Sequence, residues 1–340
     1  MTDSNKKNEK KIVLTGITPS GIPHLGNYLG AIKPALELAK NPNYQARYFI
    51  ADYHSLIKLW DPKLRQDYIY DIAATWLALG LNPDDVIFYR QSDVPEIMEL
   101  TWILTTVSAK GLLNRAHAYK ALVQENEESG KQDPDFGVTM GLFNYPILMA
   151  ADILAFHSDL VPVGKDQIQH IEIARDIANR LNHIYKKQIL TIPEALIEEK
   201  TMTLPGLDGR KMSKSYDNTI PIFMPEKKMR KLIMKIVTNS QEPHEPKKTT
   251  DCTLFNLYQA FATESETQAI AKRYQEGIGW GEMKQILFEK IQESLKEPYE
   301  HYLELIENNT KIDRILKEGA KKARAIARPL LEEIRQTVGI

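Results

Sequence analysis

Lys11-Ile12-Val13-Leu14-Thr15-Gly16-Ile17 runs into Thr18-Pro19-Ser20-Gly21-Ile22-Pro23-His24-Leu25-Gly26-Asn27, and a helical pattern extends from about residue 26 to 39. The apolar heptamer has the length and β-branched content of a buried strand ending near a glycine. Pro-Ser-Gly then breaks it into a loop before the helix period begins. The same alternation recurs downstream. Residues 47–52 read as a second strand with polar Asp52-Tyr53-His54 just past its end, 67–79 as a helix, and 86–90 as a third strand. Residues 160–164 form a late strand leading into Asp166 and a helix through Arg180. Alternating strands and helices predict an α/β fold with a parallel, doubly wound, Rossmann-like sheet. Ligands on such sheets sit at the carboxyl ends of the strands, where these loops fall.

Other segments fill in the organisation. Residues 121–135, charged and glycine-bearing, predict an exposed loop, and 146–156 an apolar helix carrying one acid, Asp152. Beyond Pro225 strand signals fade, and 224–237, 254–263, 264–276 and 282–308 all carry helical periodicity. The expected division is a catalytic domain over 11–205 and an all-helical domain over 206–310. An amphipathic helix over 311–338 either joins the second domain or folds back on the first. Residues 1–10 are polar and lysine-rich, which predicts a disordered tail rather than a signal peptide or anchor.

Composition bounds the function classes. The 340 residues are 43% hydrophobic and 26% charged with a net charge of −1. That is an ordinary globular balance, so any basic surface for a polyanion must be local. Cys252 is the single cysteine, excluding an internal disulfide and a cysteine-based metal site. No apolar run approaches the roughly 20 residues of a membrane span. These features predict a cytoplasmic protein.

Two segments far apart in sequence are suited to phosphate. Gly16, Gly21, Gly26 and Gly30 cluster at the first strand-to-helix junction, where backbone can approach a ligand and helix-start amides favour an anion. Their spacing matches neither a P-loop nor a dinucleotide fingerprint. His24 is a candidate donor to a phosphate oxygen, though a glycine-rich turn with a surface histidine reads equally well. Lys211-Met212-Ser213-Lys214-Ser215 follows the Gly/Asp-rich stretch Leu204-Pro205-Gly206-Leu207-Asp208-Gly209-Arg210. Two lysines and two hydroxyls on such a loop can follow charge developing on a leaving pyrophosphate.

His24-Leu25-Gly26-Asn27 together with Lys211-Met212-Ser213-Lys214-Ser215 resembles the paired motifs of the class I aminoacyl-tRNA synthetases. The chain resembles in particular the bacterial-type tryptophanyl branch of that family. The segments that carry this are Gly16–Gly21, Gly26–Ala31, Tyr145–Leu154, Val161–His170, Gly277-Ile278-Gly279-Trp280-Gly281 and Glu318–Ala323, so the likeness runs from about residue 12 to 340. Thr18 departs from a common glutamine, His24 from threonine, Lys165 from glutamate, and Leu14 from an aromatic.

The resemblance implies ATP-dependent activation of L-tryptophan to tryptophanyl-adenylate, release of pyrophosphate, and transfer to the 3′ end of tRNA(Trp). It implies catalytic roles for His24, Lys211, Ser213, Lys214 and Ser215. Thr18, Pro19, Ser20, Gly26, Asn27, Gly164, Lys165, Asp166, Met202 and the whole pentapeptide, Met212 included, would contact ATP, with Mg²⁺ on its phosphates. Asp152, Tyr145, Met149, Gln167 and His54 would contact tryptophan, and Lys120 is a weaker candidate for the triphosphate. A homodimer is implied, as is anticodon reading by the helical domain. Lys227, Lys228, Arg230, Lys231 and Lys235 on one helix and Lys321, Lys322, Arg324 and Arg328 on another would suit an RNA backbone, or are ordinary solvated faces.

Asp152 bears on the amino acid through its own chemistry. A carboxylate in an apolar helix needs a donor, and the indole N–H only donates. Its partner is either such a ligand or an internal group such as Arg175. Three rivals follow. A tyrosyl-tRNA synthetase would bind a phenol at the same acid, and a non-catalytic tRNA-binding paralogue would need no intact motifs. A smaller nucleotidyltransferase would lack the pentapeptide.

Overall fold

In the computed structural model, which describes residues 10–197 and 204–340, five strands form one parallel sheet in the order β3-β2-β1-β4-β5. They are β1 (Lys11–Ile17), β2 (Tyr44–Ile50), β3 (Ile87–Arg90), β4 (Leu160–Val163) and β5 (Glu194–Ile197). β1 and β2 pair in register from Lys11 opposite Tyr44 to Ile17 opposite Ile50. The chain moves outward from β1 to β3, then crosses back to place β4 on the other side of β1. The gap between the carboxyl ends of β1 and β4 is therefore the topological switch point, where such sheets open a crevice.

A central strand covered on both faces needs apolar residues without alternation. Ala46–Ile50 are all buried, and the one charge among them, Arg47, donates to the Phe156 carbonyl. Tyr48, Ile50 and Phe88 belong to one core and Phe49, Ala51 and Tyr89 to the other, as the two-residue period of strands requires. The first core packs the helix Pro62–Ala78, whose Trp76 is 1% exposed and meets the rings of Tyr48 and Phe88 at 5.3 and 6.0 Å. Truncating such a ring to alanine costs about 3–5 kcal/mol. The second core packs the helices Glu96–Val107, Met140–Leu154 and Ile168–Ile184.

The helices Glu226–Met234, Thr253–Phe261, Glu264–Glu276 and Trp280–Glu307 extend the first core rather than forming a separate one. The helix Asn309–Val338 places Ile312 and Leu316 in the first core and Ala323 to Ile334 in the second. It thus wraps the outer edge of β3. At the crossing a Cβ on Gly319 would lie 1.7 Å from the Phe88 carbonyl oxygen, so only glycine permits the approach. Covering that edge removes an open row of strand donors and acceptors.

Several expectations are corrected. Residues 117–128 are helical, not part of an exposed loop, because the strong helix formers of His117–Glu128 outweigh the charge pattern, and Gly130 at φ +72° stops them. β5 went unrecognised because it is short and carries Glu194 at its start. Residues 1–9 and 198–203 lie outside the described residues, and with them the expected tail and the adenine contact assigned to Met202.

Candidate active site

A cavity of about 590 Å³ opens at the switch point. Thr18, Pro19 and Ser20 line it from the end of β1, His54 from the end of β2, Tyr145, Met149 and Asp152 from the helix Met140–Leu154, and Gln167 from the turn after β4. Thr139 starts that helix by accepting the Leu142 amide at 3.2 Å, and from there the three cavity-lining positions share one side at helical spacing.

Asp152 is 1% exposed. His54 Nε2 donates to its Oδ2 at 2.8 Å and Gln91 Nε2 to its Oδ1 at 2.7 Å. Arg175 is not a partner: its guanidinium donates to the Pro193 carbonyl. Burial pushes the Asp152 carboxyl up, while the His54 and Gln91 hydrogen bonds pull it back. Each carboxylate oxygen retains a second lone pair, so the acid can still accept one donor from the cavity. With Nε2 committed to Asp152, His54 keeps one ring nitrogen for anything else. Tyr145 is oriented in turn by His170, whose Nε2 meets its hydroxyl at 2.6 Å.

Gln91 and His170 join the site although no motif singles them out for it. Gln91 is fully buried, and its Oε1 also accepts the Tyr53 amide at 3.1 Å. Its signal was available: a polar residue immediately after Arg90, at the carboxyl end of a strand.

The mouth of the crevice joins the two phosphate-suited segments. The Leu25 amide donates to Ile220 at 2.9 Å and the Ile222 amide to Pro23 at 3.0 Å, pinning residues 23–25 to the segment that leaves the pentapeptide. The Gly26 amide points at Met212 Sδ, 3.4 Å away. The other helix-start amides are satisfied within the protein, contrary to the expected open anion seat; only the one on Gly26 rests on a weak thioether acceptor that an oxyanion would replace.

His24 is buried, at 7% exposure, rather than a surface residue. Its Nδ1 accepts the Asn27 amide at 3.3 Å while Asn27 Oδ1 accepts the His24 amide at 3.1 Å. Burial first, and the Lys214 charge second, lower its pKa to about 4. A neutral ring that accepts at Nδ1 carries its proton on Nε2, so His24 is a donor there.

Within the pentapeptide Met212 is buried, and its amide donates to Leu204 at 2.8 Å. Lys211, Lys214 and Ser215 are exposed and Ser213 half-buried. The loop is shaped by Asn218, 2% exposed, whose side chain accepts the Ser213 amide at 2.8 Å and donates to Asp208 at 2.7 Å and Lys211 O at 3.1 Å. Gly21, at φ +137°, lies beneath Lys214, whose Nζ would stand 3.0 Å from a Cβ built there. Loss of water lowers the Lys214 pKa although the residue as a whole is exposed, because its ammonium end lies against the Gly21 turn. Asp166 is held below its usual range, first by the Gln167 hydrogen bond, with Lys211 adding to it. Gly164 and Lys165 shape that same turn. Lys120 lies on the helix His117–Glu128 and does not line the cavity.

Among the basic residues suited to RNA, Arg324 is paired with Glu96 at 2.9 Å and Arg230 bonds Gln285 at 3.0 Å. Lys322 donates to the Pro83 carbonyl at 3.1 Å.

The chain that builds this site matches known proteins along nearly its whole length. Residues 6–296 match the family model for tRNA synthetases class I (W and Y). A tryptophan–tRNA ligase of Neisseria meningitidis is 56% identical over 331 residues, 97% of this chain and 98% of that one. That of Pseudomonas putida is 56% identical over 96% of this chain and 73% of its own. A tryptophanyl-tRNA synthetase from Campylobacter jejuni, crystallised with ADP and tryptophan, superposes with a TM-score of 0.87 at 42% identity, covering 97% of this chain and all of its own. The tyrosyl and non-catalytic readings are not favoured. The chain belongs to the class I tRNA synthetases of the W and Y family and, within it, to the tryptophan–tRNA ligases.

Proposed function

We propose that L-tryptophan sits with its indole N–H on Asp152 and ATP lies across the crevice mouth, between residues 18–27 and Lys211–Ser215. The tryptophan carboxylate attacks the α-phosphorus, the bond to the bridging oxygen breaks, and pyrophosphate leaves with Mg²⁺ carried on the ATP phosphates. The nucleophile is already an anion, so no general base is required. Positioning and electrostatic stabilisation do the chemistry. His24 Nε2 donates to a phosphate oxygen, and Lys211 and Lys214 follow the charge onto the leaving group. The adenylate then passes its tryptophanyl group to the 3′-terminal ribose of tRNA(Trp).

Asp152 supplies the selection. The lone pair that His54 and Gln91 leave open on it is filled only by a ring that donates, which disfavours one that cannot. The observation that carries this reading is the approach of Lys214 to Gly21, which directly follows Ser20 in the loop that lines the cavity holding the buried Asp152.

Residues 206–310 act as the anticodon-reading part and 11–205 as the catalytic part, in a cytoplasmic homodimer. In support of a non-membrane setting, no helix among the described residues is long and apolar enough to cross a bilayer. The exposed members of the basic helices, Lys227, Lys228 and Lys321 among them, suit an RNA backbone better than the paired Arg324. The test is ATP–pyrophosphate exchange measured across the amino acids. Exchange should depend on tryptophan; strong exchange with tyrosine and none with tryptophan would overturn the assignment.

A further inference from the structure

Asp152 by itself does not separate an indole from a phenol. An indole N–H and a phenol O–H both donate, so a buried carboxylate accepts either ring. Discrimination between the two must come from the shape of the cavity around the acid.

Leu14, Phe49, Met149, Ile153 and Val161 line that cavity as apolar side chains. Among the described lining residues, Phe49 is the one aromatic side chain that carries no polar atom. It stands opposite Gly16 in the β1–β2 ladder, on the same face of the sheet. With no side chain on Gly16, the ring lies across the gap. A Cβ built on Gly16 would meet Phe49 Cζ at 2.5 Å and Cε1 at 2.7 Å. Tyr89 stacks on the same ring, with centroids 5.6 Å and planes 19° apart, and itself meets Phe156 at 5.5 Å. Tyr89 and Phe156 are both fully buried. Phe49 therefore has glycine backbone on one side and a buried aromatic row on another. In a close-packed interior it cannot turn or retreat without breaking that row.

We propose that Phe49 is a specificity-determining residue: laid across Gly16 and backed by Tyr89, its ring is the fixed aromatic wall against which the indole packs. Asp152 then selects a ring that donates, and Phe49 selects the bicyclic ring over the phenol. Aromatic pairs gain from offset or edge contact beyond the area they bury, and a fused ring offers the wall more surface than a single one. A wall that does not yield also excludes substituents on the part of the indole that faces it. Gly16 is the condition for the wall, since any side chain there takes the place of the ring tip. The inference rests on the reading that tryptophan occupies this cavity with its N–H on Asp152.

The experiment is ATP–pyrophosphate exchange by the full chain, with the melting temperature recorded for each variant. The probes are tryptophan, tyrosine and tryptophans brominated at each benzene-ring position in turn. Phe49→Leu keeps the wall apolar but removes the ring. It should raise the KM for tryptophan about ten-fold, the upper end of what an aromatic pair contributes, while kcat and the KM for ATP stay in place. The preference for tryptophan over tyrosine should fall with it, and at least one brominated probe that the unsubstituted protein rejects should be accepted. Gly16→Ala drives a methyl into the ring tip and should raise the tryptophan KM by a similar factor with the ring still present. It also serves as the second variant should Phe49→Leu lose the fold. In the double variant the two losses should not multiply, because the clash needs the ring. A folded Phe49→Leu protein with an unchanged tryptophan KM, or with the same tyrosine preference and the same probes excluded, overturns the proposal. So does a fall in kcat and ATP affinity in step with the melting temperature, the mark of a merely structural ring. If the unsubstituted protein exchanges with tyrosine and not with tryptophan, the reading of the cavity itself fails, whatever Phe49→Leu does.

Discussion

Asp152 and Lys214 both bring charge to the same crevice, yet they are mounted in opposite ways. Asp152 is buried to 1% and clamped by His54 and Gln91, side chains from the ends of two neighbouring strands. Lys214 is an exposed residue on a loop whose shape is set mainly by backbone contacts and by Asn218. The difference follows from what each end handles. A neutral ring is selected by one directed hydrogen bond, which demands an acceptor already stripped of water and unable to turn. A triphosphate shifts its charge during the reaction, which demands cations carried on a loop that can move with it.

Substitutions can break or sharpen that contrast. The largest effect is expected from Lys214→Ala, which should slow adenylate formation by about 10²–10³-fold, the usual cost of losing a group aimed at developing charge. Tryptophan affinity should move by less than about two-fold, since the lysine touches nothing at the cavity floor; this factor is at the level of a weak surface contact. Pre-steady-state adenylation and tryptophan titration measure the two separately. An unchanged rate would remove Lys214 from the chemistry, and a parallel loss of tryptophan binding would merge the two ends.

Asp152→Ala should act in the reverse sense. Tryptophan kcat/KM is expected to fall about 10²-fold, equivalent to about 3 kcal/mol for a hydrogen bond to a charged group, with ATP affinity little changed. The same substitution strands the buried donors of His54 and Gln91, so unfolding free energy should drop by about 1–3 kcal/mol. Chemical denaturation alongside exchange kinetics checks both. A variant that loses stability but keeps tryptophan selectivity would make Asp152 a purely structural acid.

The smallest effect concerns His24, which is held near 4 against an ordinary value of 6.5. Because the folded pKa is the lower one, the unfolded chain takes the proton first as pH falls. Stability is then lost on descending from about 6.5 to about 4 and changes no further below that. His24→Gln should flatten this part of the melting-temperature profile by a few degrees while leaving the profile above neutrality in place. A profile that keeps its slope would show that the histidine is not the group being protonated.

Much of this molecule was legible in one dimension. Strand β1, its Pro-Ser-Gly turn and the run of helices beyond Pro225 are local patterns, and local periodicity is enough to recognise them. The phosphate-suited ends of the crevice were legible for a similar reason: each is a short contiguous motif whose composition speaks for itself. Residues 121–128 misled because charge and helix propensity point different ways in the same stretch, and there propensity wins, with Tyr119 one turn earlier packed on Phe143. His170 was silent because a buried imidazole has no periodic signature, and Gln91 offered only its place just past a strand; they act on partners 25 and 61 residues away.

What the sequence determined by itself was the strand–helix alternation, the switch-point loops and the family resemblance with its chemistry. Those depend on spacing and residue type along a continuous stretch. What only the tertiary structure decided was which groups meet: His54 and Gln91 on Asp152 instead of Arg175, Lys214 over Gly21, the C-terminal helix across the edge of β3. Such meetings depend on burial and close approach between segments that share no sequence neighbourhood, and burial is also what holds His24 neutral and pushes the Asp152 carboxyl up.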